Sequence, residues 1–284
     1  MMLAIFHRPD HDGQCSGAIL KESYPDIKLV GLDHGDEFPW DLIKKGMTVF
    51  MTDFSLPMDQ MIKLNQMCDF HWVDHHQSAI SDAIRVNFNP KGLRNTIKSG
   101  CELTWEYINP EKDMPLSVFL FGRFDTWKHD DDDRTLPFEY GAKIEDLDPS
   151  DGKNDDLWKL LLNDDQETID LFISQGGIAL KFMMQHFKAW SKSHTYEIEF
   201  EGYRCLVANY LRSNSFLFDS VYNPDKHDVM ISFGFNGKFW KVSLYAKKSN
   251  VDVSLIAKKY KGGGHKGASG FEIEVLPKEF KIKG

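Results

Sequence analysis

The sequence predicts an α/β protein with two domains, an N-terminal, mostly parallel sheet flanked by helices and a smaller C-terminal α+β domain. Short apolar runs alternate with helical spacing along the N-terminal half. After Thr195 the pattern changes to successive alternating, strand-like runs. The chain has 284 residues, a length at which one hydrophobic core tends to divide into two. We therefore expect domains at residues 1–190 and 195–284.

The elements of the first domain are predicted from apolar runs bounded by turn residues and from helical periodicity. The predicted strands are residues 3–6, 28–32, 47–52 and 70–73. The predicted helices are residues 16–24, 58–67, 101–108, 116–121, 139–143 and a longer stretch, 155–192, interrupted at Gly176-Gly177. Strands and helices that alternate in this way form a parallel sheet, in which ligands gather beyond the carboxyl ends of the strands.

The second domain is predicted from strand-like runs separated by turn-rich pieces. These runs are residues 196–200, 205–208, 229–235, 240–246 and 270–275. One further helix, 253–259, leads directly into a glycine-rich segment that starts at Gly262. Glycines in a row let a phosphate or ribose approach the backbone closely, and the lysines around this segment add positive charge.

Composition excludes several classes of protein. A net charge of −9 argues against a protein that coats duplex nucleic acid, which would need a cationic face. No apolar stretch is long enough to span a bilayer, and the first residues lack a basic leader region, so we expect a cytoplasmic protein without a membrane partner. The four cysteines contain no CxxC pair, which argues against a disulfide framework or a structural zinc site.

Polar residues that can bind metals follow several of the apolar runs. The first strand leads to His7, Asp10 and Asp12, where Pro9 and Gly13 are expected to form a tight turn. The remaining candidates are Asp53 after the third strand, the triplet Asp74-His75-His76 after the fourth, and Asp125 after the apolar stretch 120–122. Several carboxylates with two or more imidazoles and no thiolate suit manganese, magnesium, cobalt or iron better than a closed zinc site.

These motifs together resemble those of the DHH-family phosphoesterases that carry a C-terminal DHHA1 domain. The resemblance covers essentially the whole chain and follows the family's order, from residues 7–13 through Asp53 and the Asp74-His75-His76 triplet to Asp125. Residues 262–271, GGGHKGASGF, resemble the GGGHxxASG segment of the DHHA1 domain. The resemblance implies a DHH catalytic domain and a DHHA1 substrate-binding domain that face each other across a cleft.

The resemblance also implies a role for each motif residue. Two divalent cations would be bound, with Mn²⁺ preferred and Mg²⁺ or Co²⁺ as alternatives. One would be held by His7, Asp10 and Asp53, and the other by Asp12, Asp53, His75 and Asp125, so that Asp53 bridges them. Asp74 and His76 are the implied catalytic residues, since Asp74 would orient a neighbouring histidine and His76 would contact the scissile phosphate. The implied substrate-binding residues are Gly262, Gly263, Gly264, His265 and Lys266.

The expected activity is metal-dependent hydrolysis of short single-stranded oligonucleotides or dinucleotides to mononucleotides, in the manner of an oligoribonuclease. Exopolyphosphatase or pyrophosphatase activity is the alternative within the same family. A nucleotide-binding sensor without turnover is the alternative from another class. The sequence leaves open whether the chain acts as a monomer or as a homodimer.

Two departures from the family pattern leave further alternatives open. Many relatives have three residues between the first histidine and aspartate, whereas only two separate His7 from Asp10, so His11 is an alternative to His7. In the second domain a stretch that often contains a phosphate-binding arginine reads Ser-Leu-Tyr-Ala here. Tyr245 in that stretch could stack on a base, and Arg212 or Lys247 could supply the missing charge.

Overall fold

The structure is a computed structural model, and it describes residues 2–129, 132–211 and 213–280. The chain forms two compact units, Met1–Leu180 and Lys181–Gly284. The helix Gln166–His194 crosses this division. The boundary predicted from the sequence, residues 190–195, lies at the C-terminal end of that helix.

The N-terminal unit is built on a parallel four-stranded sheet with strand order β2-β1-β3-β4. Its strands are β1 (Met2–His7), β2 (Lys28–Leu32), β3 (Thr48–Thr52) and β4 (Asp69–Val73). Successive side chains of a strand point to opposite faces. On β1, Leu3 and Ile5 belong to one buried cluster, which includes Met61 of the helix between β3 and β4, whereas Ala4 belongs to another. Helices therefore cover both faces, as the sequence predicts.

Helices make up much of the rest of this unit. They are α1 (His11–Ser23), α2 (Met58–Met67), α3 (Gln77–Arg85), α4 (Gly100–Ile108), α5 (Leu116–Asp125), α6 (Thr135–Ala142), α7 (Asp155–Leu162) and α8 (Gln166–His194). A 3-10 turn occupies Trp40–Leu42. A large buried cluster joins α1, α4, α5, α6, α7 and α8 and contains Phe121, Phe138 and Trp158.

The interruption predicted at Gly176-Gly177 is wrong, because α8 continues through both glycines. The chain breaks earlier, between α7 and α8, where Asp164 adopts a left-handed φ of 56°. A glycine destabilises a helix interior by only about 1 kcal/mol. Packing explains its presence: a Cβ on Gly176 would lie 1.8 Å from the carbonyl oxygen of Pro137, so only glycine lets α8 approach α6 this closely.

The C-terminal unit contains a mixed six-stranded sheet with strand order β5-β6-β7-β8-β10-β9. Its elements are β5 (Thr195–Phe200), β6 (Tyr203–Asn209), β7 (Val229–Phe235), β8 (Trp240–Tyr245), α9 (Val253–Lys259), β9 (Gly263–Gly264) and β10 (Ala268–Ile273), with 3-10 turns at Ser215–Phe218 and Lys278–Phe280. Strands β6 and β7 are parallel and the other neighbours are antiparallel. The α+β organisation predicted for this part of the chain is confirmed.

The cysteines lie in the buried clusters of the two units. All four are buried and unbridged, as expected for small core residues. Among residues 2–129, 132–211 and 213–280, the structure contains no helix with the length and apolar character needed to cross a membrane.

Candidate metal centre

The candidate metal-binding residues meet at the carboxyl edge of the N-terminal sheet. His7 is the last residue of β1, Asp53 follows β3, and Asp74 follows β4. These three strands are neighbours in the sheet, and parallel strands place their carboxyl ends at the same edge. Asp125 reaches the same place differently, because it is the last residue of helix α5 and does not follow a strand. The helix predicted at residues 116–121 is therefore longer than expected and extends to Asp125.

One group of metal-competent side chains consists of His7, Asp10 and Asp53. Nδ1 of His7 lies 2.8 Å from Oδ2 of Asp10 and 3.8 Å from Oδ2 of Asp53. Asp10 is also the N-cap of α1, and its Oδ1 accepts a hydrogen bond from the Gly13 amide at 2.9 Å. Gly13 lies inside α1 and not in the predicted turn. Only glycine fits at this position, because a Cβ would lie 1.9 Å from the His7 carbonyl oxygen.

A second group lies beside the first and consists of Asp12, His75 and Asp125. Nε2 of His75 is 3.7 Å from Oδ2 of Asp12 and 3.4 Å from Oδ2 of Asp125. The same nitrogen is 3.2 Å from Oδ1 of Asp53. The two oxygens of Asp53 therefore face the two groups, Oδ2 toward His7 and Oδ1 toward His75.

Helix α4 fixes the position of Asp12 in the second group. The amides of Gly100 and Cys101 donate to Oδ2 and Oδ1 of Asp12, both at 2.7 Å. A capping box between Ser99 and Glu102 holds the same end of the helix. Gly100 has to be a glycine, because a Cβ there would lie 2.5 Å from Cβ of Asp53. This contribution was not predicted from the sequence, since it joins residues 88 positions apart.

The electrostatics of the two groups fit divalent cations. Burial, followed by repulsion from neighbouring aspartates, raises the pKa of Asp53 and of Asp125 well above the ordinary value. Oδ1 of Asp53 and Oδ2 of Asp125 are buried and form no well-aligned hydrogen bond within the described residues, although Nε2 of His75 lies within 3.4 Å of both. Burial lowers the pKa of His75 despite the nearby aspartates, which favours the neutral imidazole that metals bind. Carboxylate oxygens and imidazoles without thiolate suit Mn²⁺, Mg²⁺ or Co²⁺.

Asp74 and His76 form a pair beside these two groups, and His76 also belongs with Asp53 and His75 to a third set of side chains that could hold a metal. Nδ1 of His76 is 2.7 Å from Oδ1 of Asp74, which also accepts from the amides of His75 and His76. The indole of Trp72 donates to Oδ2 of Asp74 at 3.2 Å. Burial is the largest single influence and opposes charge on both partners, but their hydrogen bond and the attraction between opposite charges together outweigh it, lowering the pKa of Asp74 and raising the pKa of His76. Asp74 thus orients the ring of His76.

Solved structures share this architecture across nearly the whole chain. The DHH domain of a member of the S1p family of ribosomal proteins superposes with a TM-score of 0.60 at 16% identity, covering 96% of this chain and 83% of that one. An exopolyphosphatase-related protein of Bacteroides fragilis gives a TM-score of 0.56 at 14% identity, covering 98% and 88%. The chain has the DHH-domain fold. The pGpG-specific phosphodiesterase PggH of Vibrio cholerae gives a TM-score of 0.52 at 14% identity, covering 96% and 93%.

A viral protein resembles this DHH-fold chain in sequence. The uncharacterized protein R106 of Acanthamoeba polyphaga mimivirus is 25% identical over 246 residues, which cover 82% of this chain and 54% of that protein. The chain therefore spans about half the length of this curated relative. No protein-family model matches the chain.

Among the described residues of the DHH-fold unit, His11 belongs to none of the metal-competent sets. Its Nδ1 is 3.0 Å from Oε1 of Glu139, and its ring packs against Phe121. Glu139 is buried, and its Oε1 also lies 3.0 Å from Nζ of Lys143. Of the two alternatives for the first motif, the structure brings His7, and not His11, to Asp10 and Asp53.

A histidine beside the first group was not predicted from the sequence. His34 lies in the turn after β2, and its ring is 5.3 Å from the rings of both His7 and Phe54. Although His34 is an exposed residue, desolvation of its ring by its neighbours, followed by repulsion from His7 and His76, lowers the pKa of His34. A polar residue just beyond a strand end was the available signal, since β2 ends two residues earlier at Leu32.

The predicted substrate-binding residues form a hairpin in the C-terminal unit. Gly263 and Gly264 constitute β9, which pairs with Gly270 and Ser269 of β10. The side chains of His265 and Lys266 follow in the connecting turn and are exposed. Their role in substrate binding stays a prediction.

The structure describes two of the three residues that could take the place of the missing arginine, Tyr245 and Lys247. Tyr245 is buried, and its hydroxyl donates to the Ser213 carbonyl oxygen at 2.7 Å, so this ring does not offer a face to a base. Nζ of Lys247 is 2.8 Å from Oδ1 of Asp219. Arg212 lies outside the described residues.

Proposed function

We propose that this protein is a two-metal phosphoesterase that hydrolyses short oligonucleotides or dinucleotides to mononucleotides. The observation that carries the proposal is the position of Asp53 between two groups, with one oxygen 3.8 Å from His7 and the other 3.2 Å from His75. A carboxylate in this position can bridge two adjacent cations. Each cation would then have imidazole and carboxylate ligands of its own.

The proposed ligands divide between the two groups. His7, Asp10 and Asp53 would hold one cation, and Asp12, Asp53, His75 and Asp125 the other. When bound, two such cations neutralise charge on a phosphoryl group and lower the pKa of a bound water. Mn²⁺ is the cation that we propose. The α4 amides keep both Asp12 oxygens aligned, which limits the number of orientations in which Asp12 can bind.

His76 would act on the substrate phosphate in this proposal. Its bond to Asp74 fixes the ring, so that Nε2 is the nitrogen that would meet a phosphoryl oxygen. The raised pKa of His76 favours the cationic ring, which is the stronger hydrogen-bond donor to phosphate. Asp74 would act through His76 as a positioning residue.

The substrate class is supported by chemistry and by the names of similar structures. The exposed His265 and Lys266 follow consecutive glycines, an arrangement that can bind a small phosphate-bearing ligand. The Vibrio cholerae protein of the same fold is described as a pGpG-specific phosphodiesterase, and pGpG is a dinucleotide. The Bacteroides fragilis protein is described as exopolyphosphatase-related, which makes polyphosphate the second candidate substrate.

A substrate panel tests the proposal. With Mn²⁺ or Mg²⁺ present, we expect turnover of a linear dinucleotide and a five-nucleotide RNA to exceed that of polyphosphate, pyrophosphate, a cyclic dinucleotide and 3′-phosphoadenosine 5′-phosphate. A preference for polyphosphate would contradict the substrate class. Nucleotide binding without turnover of any substrate would favour the sensor.

A substitution tests the metal centre itself. Asp125→Ala should lower turnover more than about 100-fold, since loss of a metal ligand exceeds the 10- to 100-fold typical of its supporting partners. Asp59→Ala removes an exposed aspartate from the first turn of α2 and serves as the control. Near-normal activity of Asp125→Ala would rule out this ligand set.

A further inference from the structure

His34 is held beside the metal centre by a hydrogen-bonded turn. The Asp36 amide donates to the Asp33 carbonyl oxygen at 3.1 Å, and the Asp33 amide donates to Oδ2 of Asp36 at 2.9 Å. The His34 amide donates to Oδ1 of Asp33 at 2.6 Å. Gly35 has a φ of +100°, a conformation that few other residues adopt. The turn therefore gives His34 a fixed place although the residue is exposed.

The ring of His34 is backed by an aromatic side chain. It stacks on Phe54 with centroids 5.3 Å apart and an interplanar angle of 23°. Phe54 is buried and directly follows Asp53. Against His7 the His34 ring is tilted by 43° at the same centroid distance. A flat ring with a rigid backing thus lies in contact with a residue of the first metal-competent group.

Metal binding does not account for this arrangement. Within the described ranges, His34 belongs to none of the metal-competent groups of carboxylates and imidazoles. The ring does contact His7, which in the proposed function binds one of the cations that would meet the substrate phosphate. Nucleotide-binding proteins commonly stack bases on aromatic rings, including histidine, when those rings are accessible on one face.

We propose that His34 is a nucleobase-stacking residue, whose ring, supported by Phe54, packs against the base of a nucleotide bound by its phosphate at the metal centre. This inference rests on the proposed function and extends it to substrate recognition. It gives the N-terminal unit a base contact of its own. Stacking tolerates different bases, because every base has a π-face.

The binding of adenosine 5′-monophosphate and ribose 5-phosphate, measured by titration calorimetry in the presence of Mn²⁺, tests the inference. The two ligands share the phosphate and the sugar and differ in the base. For His34→Ala we expect binding of the nucleotide to weaken about 5- to 150-fold. Binding of ribose 5-phosphate should stay within about twofold of wild type.

Three further variants separate stacking from other roles. His34→Phe keeps an aromatic ring and should retain most of the nucleotide affinity. His34→Gln keeps a polar group without a ring and should behave as His34→Ala. His71→Ala removes another imidazole that packs on a phenylalanine, Phe50 at 4.8 Å, and should leave the affinity unchanged. Circular dichroism confirms that each variant is folded.

Several outcomes would overturn the inference. An equal loss of affinity for both ligands, or rescue by glutamine and not by phenylalanine, would mean that His34 contacts the phosphate or a metal. Wild-type protein that binds the nucleotide no more tightly than ribose 5-phosphate would exclude a base contact. The dinucleotide hydrolysis assay is interpreted separately, and its failure would contradict the proposed hydrolysis. The difference in binding affinity between adenosine 5′-monophosphate and ribose 5-phosphate would still decide the role of His34.

Discussion

At the scale of single residues, Asp53 has the most constrained environment in the metal centre. It is buried, it directly follows β3, and its φ of 52° lies in the left-handed region that is unfavourable for most residues. Its carboxyl group also lies close to other aspartates, which raise its pKa. Residues in sparsely populated backbone conformations cluster at functional sites. A bound cation would favour the ionised form that the metal-free protein resists.

Asp53→Asn should therefore stabilise the metal-free protein while abolishing activity. Asparagine tolerates a positive φ and removes the charge, so we expect the free energy of unfolding to rise on the order of 1 kcal/mol at neutral pH. The pKa of Asp53 is raised in the folded state, so the folded wild type binds more protons and loses stability as pH rises from about 4 through this raised pKa. The stability difference between variant and wild type should grow over the same range.

Urea unfolding with chelator present, repeated at several pH values, measures this difference. Added Mn²⁺ should reverse its sign, because wild type binds the cation through Asp53 and the variant has lost that ligand. A variant less stable than wild type at neutral pH without metal would show that Asp53 is not electrostatically strained.

Asp74→Asn should impair catalysis through His76 without removing a metal ligand. The hydrogen bond that His76 donates to Asp74, together with the charge of Asp74, raises the pKa of His76 against the effect of burial, so the histidine pKa should fall in the variant. We expect turnover to drop about 10- to 100-fold, as is typical when a supporting partner is lost. Histidine NMR titration and kinetics measure both effects. Asp69→Asn is the matched control, because it removes a carboxylate that lies 3.2 Å from another histidine, His71, on β4. An unchanged His76 titration in Asp74→Asn would refute this role of Asp74.

At the scale of elements, two adjacent glycines of α8 should respond oppositely to alanine. A Cβ on Gly176 would lie 1.8 Å from the Pro137 carbonyl oxygen and 2.2 Å from the Gly141 amide nitrogen, both on α6. Gly177 has no heavy atom within 4 Å of an added Cβ. We expect Gly176→Ala to destabilise the protein by roughly 3 kcal/mol through overpacking. Gly177→Ala should stabilise it by about 0.5–1 kcal/mol through helix propensity.

Thermal and urea unfolding of the two variants measure this contrast. The two variants carry the same substitution at adjacent positions of α8, so each controls for the other in composition and helix position. Similar stability changes in both variants would contradict the close packing of α8 against α6.

The same glycines show which parts of the structure are predictable from sequence. Helical spacing predicted the bounds of α2, and an apolar run between turn residues predicted those of β2, because both signals are local in the sequence. The local pattern failed where backbone that is distant in the sequence limits which residue fits. Gly176 marks a close contact with α6 and not a helix break. Of the site residues, those in local motifs were predicted. Gly100 and His34 were not, since their contacts with Asp53 and His7 form only on folding.

At the scale of the whole molecule, the candidate ligands belong to one of the two compact units. Every residue of the metal-competent groups lies before Leu180. The C-terminal unit has its own sheet and its own buried clusters, which include Val207, Ile231 and Leu244 in one and Phe218 and Met230 in another. A metal that binds only the folded N-terminal unit should stabilise that unit by mass action and not the other.

Hydrogen–deuterium exchange with and without Mn²⁺ tests this separation. We expect metal-dependent protection in peptides covering residues 7–13, 53–54, 74–76 and 99–102, because the ligands and the α4 amides that hold Asp12 lie there. Peptides from β5 to β10 should exchange at the same rate in both conditions. Asp53→Asn is the control, in which the protection should largely disappear. Equal protection of both units would mean that the cation binds outside this group of residues.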